Sequence, residues 1–283
     1  MSKQYVNNNG VLIPIESYAI KAGNRSHLYG DGFFESIRVI NGKMINFSNH
    51  FKRLTETFKV LHMNPPASLT EDYLQKEINF LIEQNNISSG GKIRLSIDRK
   101  SGGTYLPRTN DIDYFIEAYS LPKNSFTLNE AGHRVDIYND IKKHINPLSN
   151  YKTKNGLIYI MAKMYAKEHQ LDDVLLQNDK LGIIESSSAN IFIVSNGVLY
   201  TPALDAGCLG GTMRMMIINL AIANNMKVYE CVITPQNLLA ADELFLTNAI
   251  KGITWVGNFR TKIYQNKVVE RIHRLLTSQW NKL

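Results

Sequence analysis

The sequence predicts an α+β fold with two domains, and three observations support this prediction. The pattern is rich in β-prone runs that do not alternate regularly with helices. Two Asn-Gly dipeptides, at 41–42 and 196–197, separate such runs as tight hairpins do, because both turn residues must accept a positive φ. The polar stretch 121–129, which contains one proline, lies between two patterned regions and is typical of a linker.

The region before the linker has the elements of a small α+β domain, expected over residues 1–118. Ser48 or Asn49 can cap a first helix, whose apolar residues recur three to four positions apart. Ser68 with Glu71 resembles a capping box that opens a second helix. Strands are expected at 33–40, 43–47, 93–97 and 114–119.

Residues 119–129 are interpreted as the linker and residues 130–283 as a larger, strand-rich C-terminal domain. Helices are expected at 156–169, 213–224 and 268–280. Strands are expected at 134–138, 174–176, 190–194, 227–233, 244–247 and 253–256. The chain has neither the glycine fingerprint of dinucleotide-binding domains nor a P-loop, which argues against both kinds of nucleotide chemistry.

Composition and charge exclude several classes of function. The 283 residues include 32 Lys and Arg against 25 Asp and Glu, but these basic residues are scattered and form no stripe with aromatic residues. We therefore expect no nucleic-acid partner. Cys208 and Cys231 lack the spacing of a metal or redox motif, so free thiols and no metal are expected. No apolar run approaches the ~20 residues of a membrane span, and a cytoplasmic location is expected.

Two segments have residue types that suit an anionic, amine-reactive ligand. Gly210, Gly211 and Thr212 precede a helical run, where open backbone N–H groups and the helix dipole favour a phosphate. Lys152 and Lys154 lie near the start of another helix, and a lysine with a partly neutral amine can form a Schiff base. Taken alone, an ordinary glycine-containing loop and ordinary surface lysines explain these segments at least as well.

Two further residues add to this pattern. Glu185 lies between apolar strands, where a carboxylate can hold a proton on a pyridine nitrogen. Arg53 is next to the apolar stripe of the first helix and can bind a phosphate with its planar fork. Each is also compatible with an ordinary surface side chain. The joint occurrence of all these residues in this order is the informative observation.

Together these residues resemble the fold-type IV pyridoxal-phosphate enzymes, which include branched-chain aminotransferases, D-amino-acid aminotransferases and aminodeoxychorismate lyases. The similarity extends from Tyr29-Gly30-Asp31-Gly32-Phe33-Phe34-Glu35 to about Val256. It implies the two-domain architecture of D-amino-acid aminotransferases, with the active site between the domains. It also implies a homodimer, in which a partner subunit completes that site.

The resemblance assigns a role to individual residues. Lys152 would bind pyridoxal phosphate as an internal aldimine, because the family pattern Lys-x-x-Asn matches Lys152 and Asn155; Lys154 would match only with a shifted asparagine. Glu185 would face the pyridine nitrogen. The residues expected to bind the cofactor are Arg53, Glu185, Leu209, Gly211, Thr212, Met213, Asn248 and Ala249. The residues expected to bind the substrate are Phe34, Arg94, Arg99 and Tyr105.

The expected reaction is transamination between a branched-chain or related amino acid and a 2-oxo acid. Phe34-Glu35 is similar to the aminotransferases, whereas Thr212-Met213-Arg214 and Thr247-Asn248-Ala249 look like the lyases. Aminodeoxychorismate lyase, which releases 4-aminobenzoate and pyruvate, therefore remains an alternative. A protein that binds polyanions without catalysis is a third hypothesis, although it leaves the ordered lysine, glutamate and glycine motifs unexplained.

Overall fold

The computed structural model describes residues 4–280 and divides them into two compact units. Unit 1 contains residues 4–125 together with 151–155, and unit 2 contains residues 126–150 and 156–280. The sequence analysis placed Lys152 in the C-terminal domain, whereas the structure groups it with unit 1. The reason is backbone pairing: Phe34 N donates to Lys152 O at 3.0 Å, and Lys154 N donates to Gly32 O at 2.9 Å.

Unit 1 is an antiparallel six-stranded sheet with two main helices. Its elements are β1 (Tyr5–Asn8), β2 (Val11–Pro14), α1 (Arg25–Tyr29), β3 (Gly32–Ile40), β4 (Lys43–Met44), α2 (Phe47–Val60), α3 (Glu71–Gln84), β5 (Gly91–Arg99) and β6 (Ile112–Ser120). The strand order is β2-β1-β6-β5-β3-β4. This mixture of helices and strands confirms the predicted α+β class.

The two faces of this sheet carry different side chains, because successive side chains of a strand alternate between them. One face carries Ile37, Ile93 and other fully buried residues, which form a core with Leu54 of α2 and Leu74 of α3. The opposite face includes Phe34, on the other side of β3. The sheet therefore separates the core of unit 1 from the side chains that remain for binding.

The first predicted hairpin is present. Asn41 and Gly42 have φ values of 51° and 69°, and Ile40 pairs with Lys43 across the turn. The predicted start of the following helix is wrong by two to three residues, because α2 is preceded by Asn46 and has no side-chain cap. In α3 the cap is Thr70, whose hydroxyl accepts a hydrogen bond from Tyr73 N at 3.2 Å, and not Ser68.

Unit 2 contains the larger sheet. Its elements are β7 (His133–Lys143), α4 (Leu157–Glu168), β8 (Asp173–Asn178), β9 (Ile183–Ser186), β10 (Asn190–Ser195), β11 (Val198–Pro202), α5 (Thr212–Ala223), β12 (Val228–Cys231), α6 (Pro235–Ala240), β13 (Glu243–Asn248), β14 (Gly252–Phe259), β15 (Lys262–Ile263) and α7 (Lys267–Trp280). The hairpin predicted at Asn196 and Gly197 joins β10 to β11, with φ values of 50° and 76°.

The order of the strands closes part of this sheet on itself. The path runs β12-β11-β10-β13-β14-β7-β8-β9, and β9 also pairs with β10 through Glu185 and Asn190. Six strands thus form a ring around apolar side chains such as Ile137, Leu175 and Leu246. The ring brings Glu185 and Asn190 side by side. None of the helices within residues 4–280 is long and apolar enough to cross a membrane.

The cap of α3 provides a test of the helix start assigned in unit 1. Replacing Thr70 with alanine should lower the free energy of unfolding by about 1 kcal/mol, because the N–H of Tyr73 loses its partner. Ser68→Ala should leave stability almost unchanged, since Ser68 is not the cap. Urea unfolding followed by circular dichroism measures both. A larger loss in Ser68→Ala than in Thr70→Ala would contradict the assigned helix start.

Candidate functional site

Lys152 is held at a defined place within unit 1. Its segment is extended, since Thr153 forms a β-bridge with Phe33. The Lys152 side chain is half-buried, and its Nζ lies 4.6 Å from the centre of the Phe34 ring. The neighbouring Lys154 has its Nζ bonded to the Asp98 carboxylate. Because this ion pair occupies the Lys154 amine, Lys154 is the less suitable candidate for the reactive amine.

Arg94 contacts the same aromatic ring. Its guanidinium carbon lies 3.8 Å from the centre of the Phe34 ring, a distance at which a cation is attracted to the π face. Its Nε lies 3.9 Å from Glu117, which makes only a loose ion pair. Burial lowers the pKa of Arg94, and Glu117 partly opposes this change. Phe34 thus has two cationic side chains against it, one of them Lys152.

The other two substrate candidates have different surroundings. Arg99 is buried and donates to the Asp31 carboxylate at 3.0 Å, to Asn110 at 2.7 Å and to the backbone carbonyls of residues 61 and 62. A substrate carboxylate would have to replace these bonds, so the structure favours Arg94 over Arg99 for this task. Tyr105 is 90% exposed on the loop before β6.

Arg53 belongs to a buried charge cluster on α2 and β3. Its Nε and Nη2 donate to the two oxygens of Glu35 at 2.8 and 2.5 Å, and His50 Nδ1 lies 2.7 Å from the same carboxylate. Burial alone would raise the pKa of Glu35. The charge of Arg53 and the hydrogen bonds from His50 and Arg53 outweigh burial and lower this pKa to about 2. Glu35 is therefore ionised at neutral pH.

In unit 2, Glu185 is the centre of a second buried cluster. Its Oε1 accepts from Lys143 Nζ at 2.7 Å and from the Tyr159 hydroxyl at 2.9 Å. Its Oε2 accepts from the backbone N–H of Leu209 at 2.8 Å. A carboxylate has about four acceptor positions, and these bonds use three of them. Burial, followed by the charge of Glu185, raises the pKa of Tyr159, so its hydroxyl stays a donor.

The glycine-containing loop leads directly into α5. Thr212 and Met213 are the first residues of this helix, and its N-cap residue, Gly211, offers no side-chain cap. A Cβ at Gly211 would lie 1.8 Å from Asn190 Oδ1, so no larger residue fits there. Asn190 Nδ2 also donates to Leu209 O at 2.7 Å, which fixes the loop against β10. The predicted loop geometry at the start of a helix is present.

The last two cofactor candidates follow the end of β13. Asn248 accepts from the backbone N–H groups of residues 250 and 251, so its side chain shapes the turn that contains Ala249. Thr247, one residue earlier, pairs with Asn190 across the ladder. Its hydroxyl is buried and has no hydrogen-bond partner among the described residues.

The sequence analysis did not identify several residues of these clusters. Lys143 was not singled out, although its ammonium is bound to Glu185. Tyr159, Asn190 and Thr247 were also missed. The sequence offers a signal for two of these residues. Asn190 lies two positions after the serine cluster that follows Glu185. Thr247 directly precedes the candidate Asn248. The other contacts join distant parts of the chain.

The Glu35 cluster predicts a pH-dependent contribution to stability. Glu35→Gln should lower the free energy of unfolding at neutral pH by about 3–5 kcal/mol, because Arg53 and His50 lose a buried anion. Since the pKa falls from 4.5 to about 2 on folding, the wild type has this advantage above pH 4.5 and loses it as the pH falls toward 2. Urea unfolding from pH 7 to pH 3 measures the gap. Glu83→Gln, on the exposed end of α3, is the control; a gap that stays constant below pH 4.5 would contradict this account.

Comparisons with known proteins identify the family of this chain. The family model for amino-transferase class IV matches residues 32–259. A putative branched-chain-amino-acid aminotransferase of Methanocaldococcus jannaschii is 29% identical over 96% of this chain and 93% of its own length. A D-alanine aminotransferase of Listeria monocytogenes is 30% identical over 89% of this chain and 86% of its own.

A solved structure gives the same result. The branched-chain aminotransferase of Thermoproteus uzoniensis, crystallised with norvaline, is 26% identical, has a TM-score of 0.88, and covers 99% of this chain and 97% of its own. The expected two-domain α+β fold of the fold-type IV enzymes is therefore confirmed, and the polyanion-binding hypothesis is not supported. Because the family model spans most of the chain, this protein is an enzyme that belongs to the amino-transferase class IV family.

Proposed function

We propose that this protein is a pyridoxal-phosphate-dependent aminotransferase that moves an amino group between an amino acid and a 2-oxo acid, with Lys152 as the amine that holds the cofactor. The observation that carries the proposal is the pair of cations on the Phe34 ring, Lys152 Nζ at 4.6 Å and the Arg94 guanidinium at 3.8 Å. The amine proposed to transfer protons, Lys152, and the cation proposed to bind a carboxylate, Arg94, thus contact the same side chain.

The residues of unit 2 fit the phosphate of this cofactor. The twelve-residue helix α5 begins without a side-chain cap or an acidic residue in its first turn, so its positive end suits an anion. The buried hydroxyl of Thr247 lies opposite Asn190, which contacts the same loop, and can donate to a phosphate oxygen. We propose that these groups hold the phosphate. Gly211, Thr212 and Met213 are the candidates at this helix start. The remaining candidates for holding the cofactor are Arg53, Leu209, Asn248 and Ala249.

Glu185 fits the pyridine ring of the cofactor. Lys143 and the Leu209 N–H keep this buried carboxylate supplied with donors, and one acceptor position remains for a ring N–H. An anion at that place favours a protonated ring nitrogen. We propose Glu185 as the partner of the ring nitrogen mainly because its carboxylate has one open acceptor position. Its negative charge is the lesser reason.

The cofactor and the side chains of the protein supply different parts of the chemistry. When bound, pyridoxal phosphate supplies an aldehyde that takes up an amine and a ring that withdraws electrons from the substrate α-carbon. Lys152 Nζ would act as general base and then as general acid, removing the substrate α-proton and later giving a proton back. Arg94 binds a substrate carboxylate and so orients the α-carbon toward Lys152 Nζ.

The proposed substrates follow from the relatives, which are named for branched-chain amino acids and for D-alanine. L-leucine, L-valine and D-alanine should therefore be compared as amino donors, with 2-oxoglutarate and pyruvate as acceptors. We expect turnover with a branched-chain donor, and only when an acceptor is present. Absence of amino transfer from every donor would overturn the proposed function.

The same assay separates transamination from the lyase reaction. With 4-amino-4-deoxychorismate and no oxo acid, an aminotransferase stops after one half-reaction. Continuous release of pyruvate and 4-aminobenzoate would instead identify a lyase. The two results differ in the number of product molecules per enzyme, which a stoichiometric assay measures directly.

We also propose that the enzyme is a homodimer. The helix α4 exposes Leu157, Ile160, Met161 and Met164, which are spaced along one face of the helix. An exposed apolar stripe of this kind is typical of a protein–protein contact. A second copy of the chain is the partner implied by the family resemblance.

The role of Lys152 is directly testable. Wild-type enzyme with pyridoxal phosphate should be yellow and lose its visible band on borohydride reduction. Lys152→Ala should lose this reducible band and at least about 10³-fold in kcat, because no other group replaces its proton transfer. Absorbance spectra and steady-state assays measure both, with Lys76→Ala on the exposed side of α3 as the control. A reducible band in Lys152→Ala would contradict the assignment.

The dimer proposal gives a further prediction. Ile160→Glu combined with Met164→Glu should convert the enzyme from the mass of two chains to that of one, since charges do not tolerate burial in a contact. Sedimentation equilibrium measures this mass. Phe80→Glu changes an isolated exposed aromatic residue on α3 and should leave the mass unaltered. A wild-type protein with the mass of a single chain would refute the proposal.

A further inference from the structure

We propose that the ion pair between Lys154 and Asp98 positions Lys152 for its reaction; this inference rests on the proposed function. Lys154 Nζ binds Asp98 Oδ1, and Asn24 Nδ2 donates to the other oxygen, Oδ2, at 2.8 Å. The side chains of Lys154 and Asp98 are only 16% and 8% exposed. Lys154 is thus a fixed neighbour of Lys152.

The segment that carries Lys152 needs such an anchor. Residues 151–155 belong to no helix and to no strand of the sheet. Their backbone is attached to β3 by two hydrogen bonds, from Phe34 N to Lys152 O and from Lys154 N to Gly32 O. So few bonds leave a short segment free to open locally.

The two lysines share one side of this segment. The bridge between Thr153 and Phe33 makes the backbone extended, so residues 152 and 154 point to the same side. Lys154 Nζ lies 5.5 Å from the centre of the Phe115 ring, and Lys152 Nζ lies 4.6 Å from that of Phe34. An anchor on Lys154 therefore restrains the rotation of the segment that would turn Lys152 away.

The packing around Gly32 makes this anchor tight. A Cβ at Gly32 would lie 2.4 Å from Ile97 O, 3.0 Å from Asp98 Oδ1 and 3.2 Å from Lys154 Cδ. The stem of Lys154 therefore passes directly over Gly32 on its way to Asp98. Without the carboxylate, the buried ammonium would lose its counter-charge and move toward water, and the backbone of the segment would follow.

The first experiment needs no cofactor. Limited trypsin digestion of the full chain, followed by mass spectrometry, reports cleavage after Lys152 and Lys154. Asp98→Asn should be cleaved there about tenfold faster than the wild type, because the segment opens more often. Glu77→Gln, which alters another carboxylate of unit 1 that accepts a hydrogen bond, from Asn7, should be cleaved as slowly as the wild type. Equal cleavage of Asp98→Asn and the wild type would overturn the proposal.

The second experiment uses the cofactor-bound enzyme. Asp98→Asn and Lys154→Met should shift the pH midpoint of the visible band by about one unit and lower kcat about tenfold, with KM changed less than about threefold. Lys154→Arg keeps the charge and should recover most of the kcat. A normal midpoint and kcat in a variant that trypsin cleaves quickly would show that the ion pair holds the segment without positioning Lys152, which overturns the proposal. If the wild type binds no cofactor, the proposed function fails, and the digest still decides the anchoring.

Discussion

The attachment of the Lys152 segment to β3 is the constraint on which the arrangement of unit 1 depends. The reactive role that we propose for Lys152 requires its side chain to be held within about 0.5 Å of its working position, yet this lysine lies on no helix or strand of its own. Gly32 makes the close attachment possible. Because this residue has no Cβ, β3 can lie close both to Ile97 O and to the Lys154 side chain of the segment. Phe34, two residues further on the same strand, then lies beneath Lys152. The register of β3 and β5 thus determines where the amine is.

Two buried carboxylates, one in each unit, each have a partner of opposite sign. Glu35 is bound by Arg53 and His50 in unit 1, and Glu185 is bound by Lys143 in unit 2. Such pairs seldom add stability compared with apolar residues of the same size, because desolvation offsets their attraction. What they do provide is a fixed orientation of the carboxylate. For Glu185 this orientation leaves one acceptor position open, which is the basis of its proposed contact with a ring nitrogen.

The sequence predicts best those features of the fold whose physical cause lies in neighbouring residues. Both Asn-Gly hairpins are present, because a two-residue turn requires positive φ at residues that tolerate it. The start of α3 was displaced from Thr70 to Ser68, because both residues can cap a helix and only packing selects one. Short strands such as β1 and β2 were not predicted, since four residues show too little alternation.

The site was predictable to the extent that its motifs are continuous in the chain. The loop before α5 and the Lys152 segment are of this kind, and resemblance to a family identified them. Lys143 lies 42 residues before Glu185, and no local pattern links a lysine in a basic stretch to a carboxylate so far away. Arg99 was expected to bind the substrate, and no pattern in the sequence indicates that the fold uses its donors for its own carbonyl and carboxylate groups.

The side chains of each strand in unit 1 alternate between the two faces of the sheet. The residues that stabilise the core are therefore different from those proposed to select the substrate. Ile37 and Ile93 face the core, whereas Arg94 and Glu117 lie on the opposite face, at paired positions of β5 and β6. The hydroxyl of Tyr119 donates to Glu117, and burial with this contact raises the pKa of Tyr119 to about 12. Glu117 is therefore held near Arg94 as a competing anion for the guanidinium. If Arg94 binds the substrate carboxylate as we propose, substitutions at this pair should change which carboxylates it accepts without disturbing the core.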